Sequence, residues 1–141
     1  LMTESDRFQD NSSGVITDNK NKKHWLPKDS WGDLGQWRNF NEAIAYVRLM
    51  NQVYAGGFSD WRLPTSQEAE DLYDIAYDQI DWEEEVVHIS TLFVTKCSNY
   101  IWTSDKDEDQ KACRINLRNK ELEFVDPNTR DHQAARLVRD I

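Results

Sequence analysis

Two stretches of this chain repeat apolar residues at helical spacing, and the segments around them alternate in the manner of short strands. Phe40, Ala43, Ile44, Val47 and Met50 recur every three or four residues and would line one face of a helix. Asn39 stands where such a helix needs its N-cap, with Glu42 three residues on in capping-box position, and Gly56-Gly57 predicts its stop. A second stripe comprises Ala69, Leu72, Tyr73, Ala76 and Ile80. It follows the capping box Thr65-Ser66-Gln67-Glu68, with Glu70 and Asp71 adding negative charge at the positive end of the helix dipole.

Ahead of the helices, Arg7-Phe8-Gln9, the turn-forming Asn11-Ser12-Ser13-Gly14 and Val15-Ile16-Thr17 read as strand, turn, strand; Lys23-His24-Trp25-Leu26 adds a strand stopped by Pro27. After the helices, residues 89–94, 100–104, 112–117, 122–125 and 134–139 predict strands. In 112–117 apolar and polar residues alternate, as in a strand with one solvated face. Short strands, two helices, then a sheet indicate an α+β fold. With no repeat or linker in view, one domain spanning 1–141 is expected.

Composition narrows the function. Aromatic residues make up 11% of the 141 positions, ample for a packed core. The 26 acidic and 17 basic residues give a net charge of −9. Such a surface repels phosphate, and the only basic run includes Lys20, Lys22 and Lys23, so nucleic acid is not an expected partner. No apolar run approaches the roughly 20 residues of a membrane span, so no membrane insertion is expected. No signal peptide is recognisable, and localisation stays open among cell surface, virion and cytoplasm. Cys97 and Cys113 fit either one disulfide or two reduced core thiols.

Several motifs occur together and in order. Arg7-Phe8-x-Asp10-Asn11 with Gly14-Val15-Ile16-Thr17-Asp18-Asn19, then Asp60-Trp61-Arg62-Leu63-Pro64-Thr65 with Glu68, Tyr100-Ile101-Trp102-Thr103-Ser104, and Ala135-Arg136-Leu137-Val138-Arg139 resemble the Lcl C-terminal domain family. That family is named for the terminal domain of a collagen-like bacterial adhesin. The Asp-Trp-Arg-Leu-Pro run is the most specific piece. The chain departs from the family pattern at Asn11-Ser12-Ser13-Gly14, which has one glycine fewer, and at Asn21-Lys22-Lys23-His24-Trp25, which keeps only the Trp. The resemblance implies a C-type-lectin-like fold: two helices flank a mostly antiparallel sheet, the N- and C-terminal strands pair, and a variable loop region forms a binding face. Relatives of this fold include adhesins and the variable proteins of diversity-generating retroelements.

Candidate chemistry is sparse. Arg62 has a fork suited to carboxylates, and a structural role is expected for it and for Trp25, Trp61 and Trp102. Asp105-Lys106-Asp107-Glu108-Asp109 offers oxygens to calcium but lacks EF-hand spacing, so a solvated hairpin tip is expected, as is a solvated segment at 81–85. His24, His88 and His132 show no zinc spacing, and no metal or other cofactor is expected. Formylglycine-generating enzymes share the implied fold and use a cysteine pair, but a closer one. A hairpin of 97–103 with 111–117 would let Cys97 and Cys113 face each other.

The resulting expectation is a ligand-binding module without catalytic residues. Its face would draw on Asn99, Tyr100, Trp102, Ser104, Asp105, Asp107, Arg114 and Asn116, and on Asn128, Arg130, Asp131 and His132. These combine flat apolar area with directional hydrogen bonds, and Arg114 and Asn116 fall on one side of their strand. The partner would be a protein or a glycan. A retroelement-diversified protein is the first version, a fixed surface adhesin the alternative, a formylglycine-generator-like oxidase a further class, and a purely structural part of an assembly another. Oligomeric state is left open.

Overall fold

The computed structural model describes residues 3–141; Leu1 and Met2 of the expected 1–141 unit lie outside the described residues. A single helical turn, α1 (Glu4–Arg7), leads into β1 (Phe8–Asp10), β2 (Ile16–Asp18) and β3 (Lys23–Trp25), an antiparallel meander. Helices α2 (Ser30–Leu34), α3 (Phe40–Gln52) and α4 (Ser66–Leu72) follow. Then come the short pair β4 (Gln79–Ile80) and β5 (Val86–Val87), the strands β6 (Tyr100–Lys106), β7 (Ala112–Asn116) and β8 (Leu122–Val125), and finally β9 (Gln133–Ala134) and β10 (Val138–Asp140). The fold is α+β.

Two four-stranded sheets carry it, ordered β1-β2-β3-β10 and β8-β7-β6-β9. The N- and C-terminal strands share a sheet but do not pair as expected: β10 runs antiparallel to β3, and β1 holds the opposite edge. The closing strand expected at 134–139 is split. Gln133 and Ala134 pair parallel to β6, then the chain crosses through buried Ala135, Arg136 and Leu137 to reach the other sheet.

Successive residues of β6 face opposite ways. Ile101 joins Ile115, Ala69 and Leu72 in a core with Phe8, Ile16, Trp25 and Phe93. Trp102 joins Phe40, Ala43, Tyr46, Trp61, Ala112 and Leu137 in a second core. The α4 and α3 helices therefore cover opposite faces of the β6–β7 pair. This corrects the expectation for 112–117: Ala112, Cys113, Arg114 and Ile115 are all buried, because both faces are covered.

Both capping boxes form, Asn39 with Glu42 and Thr65 with Glu68. The second helix is shorter than its stripe predicted. It ends at Leu72, because the Asp74 N–H donates to the carbonyl of His88 and the Asp74 carboxylate accepts the Ala76 N–H, a local turn that competes with helix. Residues 89–94 do not form the expected strand. The Ser90 hydroxyl and carbonyl accept the N–H groups of Leu92 and Phe93, a turn that drives Phe93 into the core. Strand pairing in this region falls instead to Val86 and Val87.

The Arg62 side chain clamps the scaffold as expected. It donates to both carboxylate oxygens of Glu68, at 2.6 and 2.8 Å, and to Asp140 at 2.9 Å. Lys23 pairs with the same two acids, so α4 is tied to β3 and β10. The Arg62 guanidinium, followed by the Thr65 N–H and Lys23, holds the Glu68 carboxyl down at about 2.

A surface cluster of aromatic rings

Among the described residues, half-buried tryptophans gather at one place on the surface. The α2 helix is capped by Asp29, whose carboxylate accepts the Gly32 N–H at 2.8 Å and the Ser98 N–H at 2.8 Å. Gly35 ends it in the left-handed region, φ 66, where a side chain is disfavoured. That reversal lays Trp37 flat on Trp31, with ring centroids 3.8 Å apart and planes 2° from parallel.

Trp82 meets Trp37 edge-on at 5.2 Å, and His132 meets Trp37 edge-on at 5.1 Å while stacking on Trp82 at 4.1 Å. The turn that presents Trp82 is built on Asp81, which is fully buried. Its carboxylate accepts the N–H groups of Glu83 and Glu85, and Arg118 at 2.6 Å. The segment 81–85, expected to be solvated throughout, therefore contributes one buried acid and one ring of the cluster.

Beside the rings lies a hollow of about 510 Å³ between Gln36, Trp37, Arg38 and Asn39 on one side and Arg130, Asp131 and His132 on the other. Its charged groups are already paired. Arg130 donates to Glu42 at 2.8 Å, Arg38 reaches the other oxygen of Glu42 at 3.4 Å, and Asp131 accepts from Arg114 at 3.0 Å. The Glu42 carboxyl is held below its ordinary value, chiefly by the Asn39 N–H and then by Arg130.

Most of the residues expected to form a binding face are brought to this region, but several stand behind it. Asn99, 4% exposed, accepts the Trp82 indole N–H at 2.9 Å and donates to Asn116 at 3.3 Å, so the two asparagines set the tilt of Trp82. Arg114, expected to project outward with Asn116, is 6% exposed. It donates to Asp131, Gln133 and Glu123 and lies 3.9 Å from the centroid of Tyr100, whose hydroxyl donates to Glu123. Burial, then the Glu123 charge, raises the Tyr100 pKa. Trp102, expected on the face, is fully buried; its indole N–H donates to the Arg38 carbonyl at 2.9 Å and fixes the Trp37–Arg38 loop from beneath. Arg130, Asp131 and His132 border the hollow, while Asn128 is exposed and donates its backbone N–H to the Asp126 carboxylate, which caps that turn.

Three expected residues lie elsewhere. Ser104 borders a separate groove with Phe40, Val47 and Arg62. Asp105 accepts the Ser66 N–H at the start of α4. Asp107 accepts the N–H groups of Asp109 and Lys111, closing the hairpin tip. Sequence reasoning missed Trp31, Trp37 and Trp82, which belong to no periodic pattern. Glycine at position 35 between two tryptophans was the signal available.

The cysteines are both free and buried, and β7 places Cys113 opposite Phe124 while Cys97 bridges to Asp81 ahead of β6. They do not face each other across a hairpin. Burial pushes the Cys97 thiol up to about 11. Among the described residues, no three His, Cys, Asp or Glu side chains are grouped to hold a metal ion, and no helix is long and apolar enough to cross a membrane.

No curated protein and no solved structure matches the chain. The family model of the Lcl C-terminal domain matches residues 14–139, which include the Asp60-to-Thr65 run, Trp102 and all four rings of the cluster. The chain belongs to the Lcl C-terminal domain family.

Proposed function

We propose that this chain is an adhesin-like recognition module that binds its ligand on the ring cluster and the adjoining hollow. The observation that carries the reading is the placement of three tryptophans and a histidine in mutual contact at the surface. Aromatic area of this size, outside the core and fixed by second-layer hydrogen bonds, is what recognition sites use. The hollow also falls in the usual range for ligand sites, roughly 300–1,000 Å³.

The frame we propose is C-type-lectin-like. It is supported by the family resemblance, by helices on opposite faces of β6–β7, and by the return of β10 to the N-terminal sheet. Within that frame a fixed adhesin fits better than a retroelement-diversified protein. Asn99, Trp102 and Arg114 belong to the face that a diversified protein would be expected to vary, and each is buried and hydrogen-bonded. The module is taken to be non-catalytic, and the separate burial of the two thiols supports this against an oxidase that needs a cysteine pair. A net charge of −9 supports a protein or glycan partner over nucleic acid.

The test is adhesion of labelled protein to a panel of glycans, matrix proteins and intact cell surfaces. Wild type should bind at least one surface, and Trp37→Ala and Trp82→Ala should each lose that binding. Leu49→Ala, at an exposed apolar position elsewhere, should retain it. Undiminished binding by both tryptophan variants would overturn the assignment of the site.

A further inference from the structure

We infer that the free edge of β8 is a second recognition surface, which takes an extended segment of another protein, alternating apolar and basic residues, as an added strand. It is separate from the ring cluster and does not depend on it.

The backbone is the first argument. β8 ends its sheet, with β7 as its one strand neighbour. The Asn116 N–H donates to the Glu121 carbonyl, and the antiparallel register sets Arg114 opposite Glu123 and Ala112 opposite Val125. Bonds to β7 therefore fall on residues 121, 123 and 125. The alternation of the ladder leaves the N–H and C=O groups of Leu122 and Phe124 pointing away from β7. These are the groups that an added strand bonds.

The side chains are the second argument. Leu122 and Phe124 project to the α4 side. Phe124 lies opposite Cys113, whose Sγ is 3.5 Å from the Ser66 hydroxyl of α4, and Leu122 lies opposite Ile115. They are 39% and 46% exposed. The other edges of the two four-stranded sheets differ: β1 exposes Gln9 and Asp10, β10 exposes Asp140, and β9 is buried. Sheet edges are commonly blunted by charge or by cover, whereas β8 shows apolar side chains at alternate positions along its open backbone.

Charge chooses the occupant. Glu121 and Glu123 fall on the opposite side of the strand from Leu122 and Phe124. A segment that alternates apolar and basic residues matches both sides at once. Asp126 follows β8, and the neighbouring hairpin tip carries Asp107, Glu108 and Asp109. Among the described residues, Glu108, Glu121 and Asp126 make no ion pair. A second copy of the chain fits poorly, because two-fold pairing through the outward groups has only unfavourable registers. With Leu122 opposite Phe124, Glu123 meets its own copy; with Leu122 opposite its own copy, Glu121 meets Glu123. With Phe124 opposite its own copy, Leu122 meets Asp126. The first two set like charges directly across from each other, and the third sets an apolar side chain against a carboxylate.

Nuclear magnetic resonance titration of the intact nitrogen-15-labelled chain tests this. The probes are a capped octapeptide alternating valine and lysine, one alternating valine and glutamate, and one with the valines and lysines in two blocks. The expected result is saturable binding of the alternating valine–lysine peptide. Amide exchange at Leu122 and Phe124 should slow at least about tenfold as their N–H groups become bonded. Affinity should fall at least about threefold between about 50 and 500 mM NaCl. Phe124→Lys should weaken binding at least about tenfold, as should Leu122→Pro, which removes an outward N–H and no bond to β7. Leu49→Ala should leave it unchanged. Circular dichroism of each variant establishes that the fold is retained, and either edge variant suffices if the other does not fold.

Absence of saturable binding overturns the proposal, as does equal binding of the glutamate or block peptide. Binding that leaves exchange at Leu122 and Phe124 unchanged also overturns it. Exchange at those amides that slows with protein concentration alone would make a second copy the occupant and overturn it as well.

Discussion

Trp25, Trp61 and Trp102 are at most 2% exposed, and each lies in or beside a strand of the sheets. Trp31, Trp37 and Trp82 are half-buried, lie on loops and a five-residue helix, and touch one another. The first trio is enclosed by aliphatic side chains from two sheets and two helices. The second trio is held by hydrogen bonds from residues that are themselves buried: Asn99 on the Trp82 indole, and Trp102 beneath the loop that carries Trp37. The difference shows how one residue type serves fold in one setting and recognition in the other, and that the two are linked, since a scaffold tryptophan positions a surface one.

The two trios should separate in stability measurements, and the largest effect belongs to the scaffold. Trp102→Ala empties a fully buried site and unmakes a buried hydrogen bond, so unfolding in urea should lose about 3–5 kcal/mol. Trp31→Ala and Trp37→Ala should cost about 1 kcal/mol, since both rings already face solvent. Equal costs for the two trios would erase the distinction.

Next in size is the link between them. Asn99→Ala leaves the Trp82 indole N–H without its acceptor and removes one of the two donors to the Asn116 side-chain oxygen, which keeps the Arg118 N–H, at about 1–2 kcal/mol. The fluorescence of Trp82 should broaden and red-shift in a variant where it is the only tryptophan of the surface trio retained. An unchanged spectrum would deny Asn99 its positioning role.

Gly35→Ala forces a side chain into the left-handed region at φ 66 and should cost about 1 kcal/mol while loosening the stack of Trp37 on Trp31. Space is not the obstacle, since nothing lies within 4 Å of an added Cβ. Near-ultraviolet circular dichroism, which reads coupled indoles, should lose intensity.

The smallest effect sharpens the comparison through pH. The Glu68 carboxyl sits at about 2 in the folded chain against an ordinary 4.5, so its contribution is complete above pH 4.5 and fades as pH falls toward 2. Glu68→Gln should be less stable than wild type at neutral pH, and the gap should close on acidification through that window. The ring cluster shares no partner with Glu68, so near-ultraviolet signals of the surface trio should follow global unfolding rather than precede it.

Much of the scaffold was legible in the sequence because local rules and tertiary packing agree there. The capping boxes at Asn39 and Thr65, the stripe from Phe40 to Met50, and the N-terminal turns each formed where the pattern placed them. Disagreements arose where a polar side chain redirected the backbone, as Asp74 did in ending α4 and Ser90 in replacing a strand with a turn. The alternation in 112–117 misled because both faces of β7 are covered, and Arg114 enters the interior by bringing three polar partners with it. For the candidate site, residues 130–132 were legible as polar loop chemistry. The rings were not, because Trp31, Trp37 and Trp82 are joined only by tertiary folding and no spacing in the chain announces it.

The most direct test follows the six indole N–H signals of nitrogen-15-labelled protein while the glycan or matrix protein selected by the adhesion panel is titrated in. The account predicts that Trp31, Trp37 and Trp82 shift together and saturate with one affinity, while Trp25 and Trp61 stay fixed and Trp102, one layer beneath, moves little. Saturable shifts centred on Trp25 or Trp61, with the surface trio silent, would contradict it.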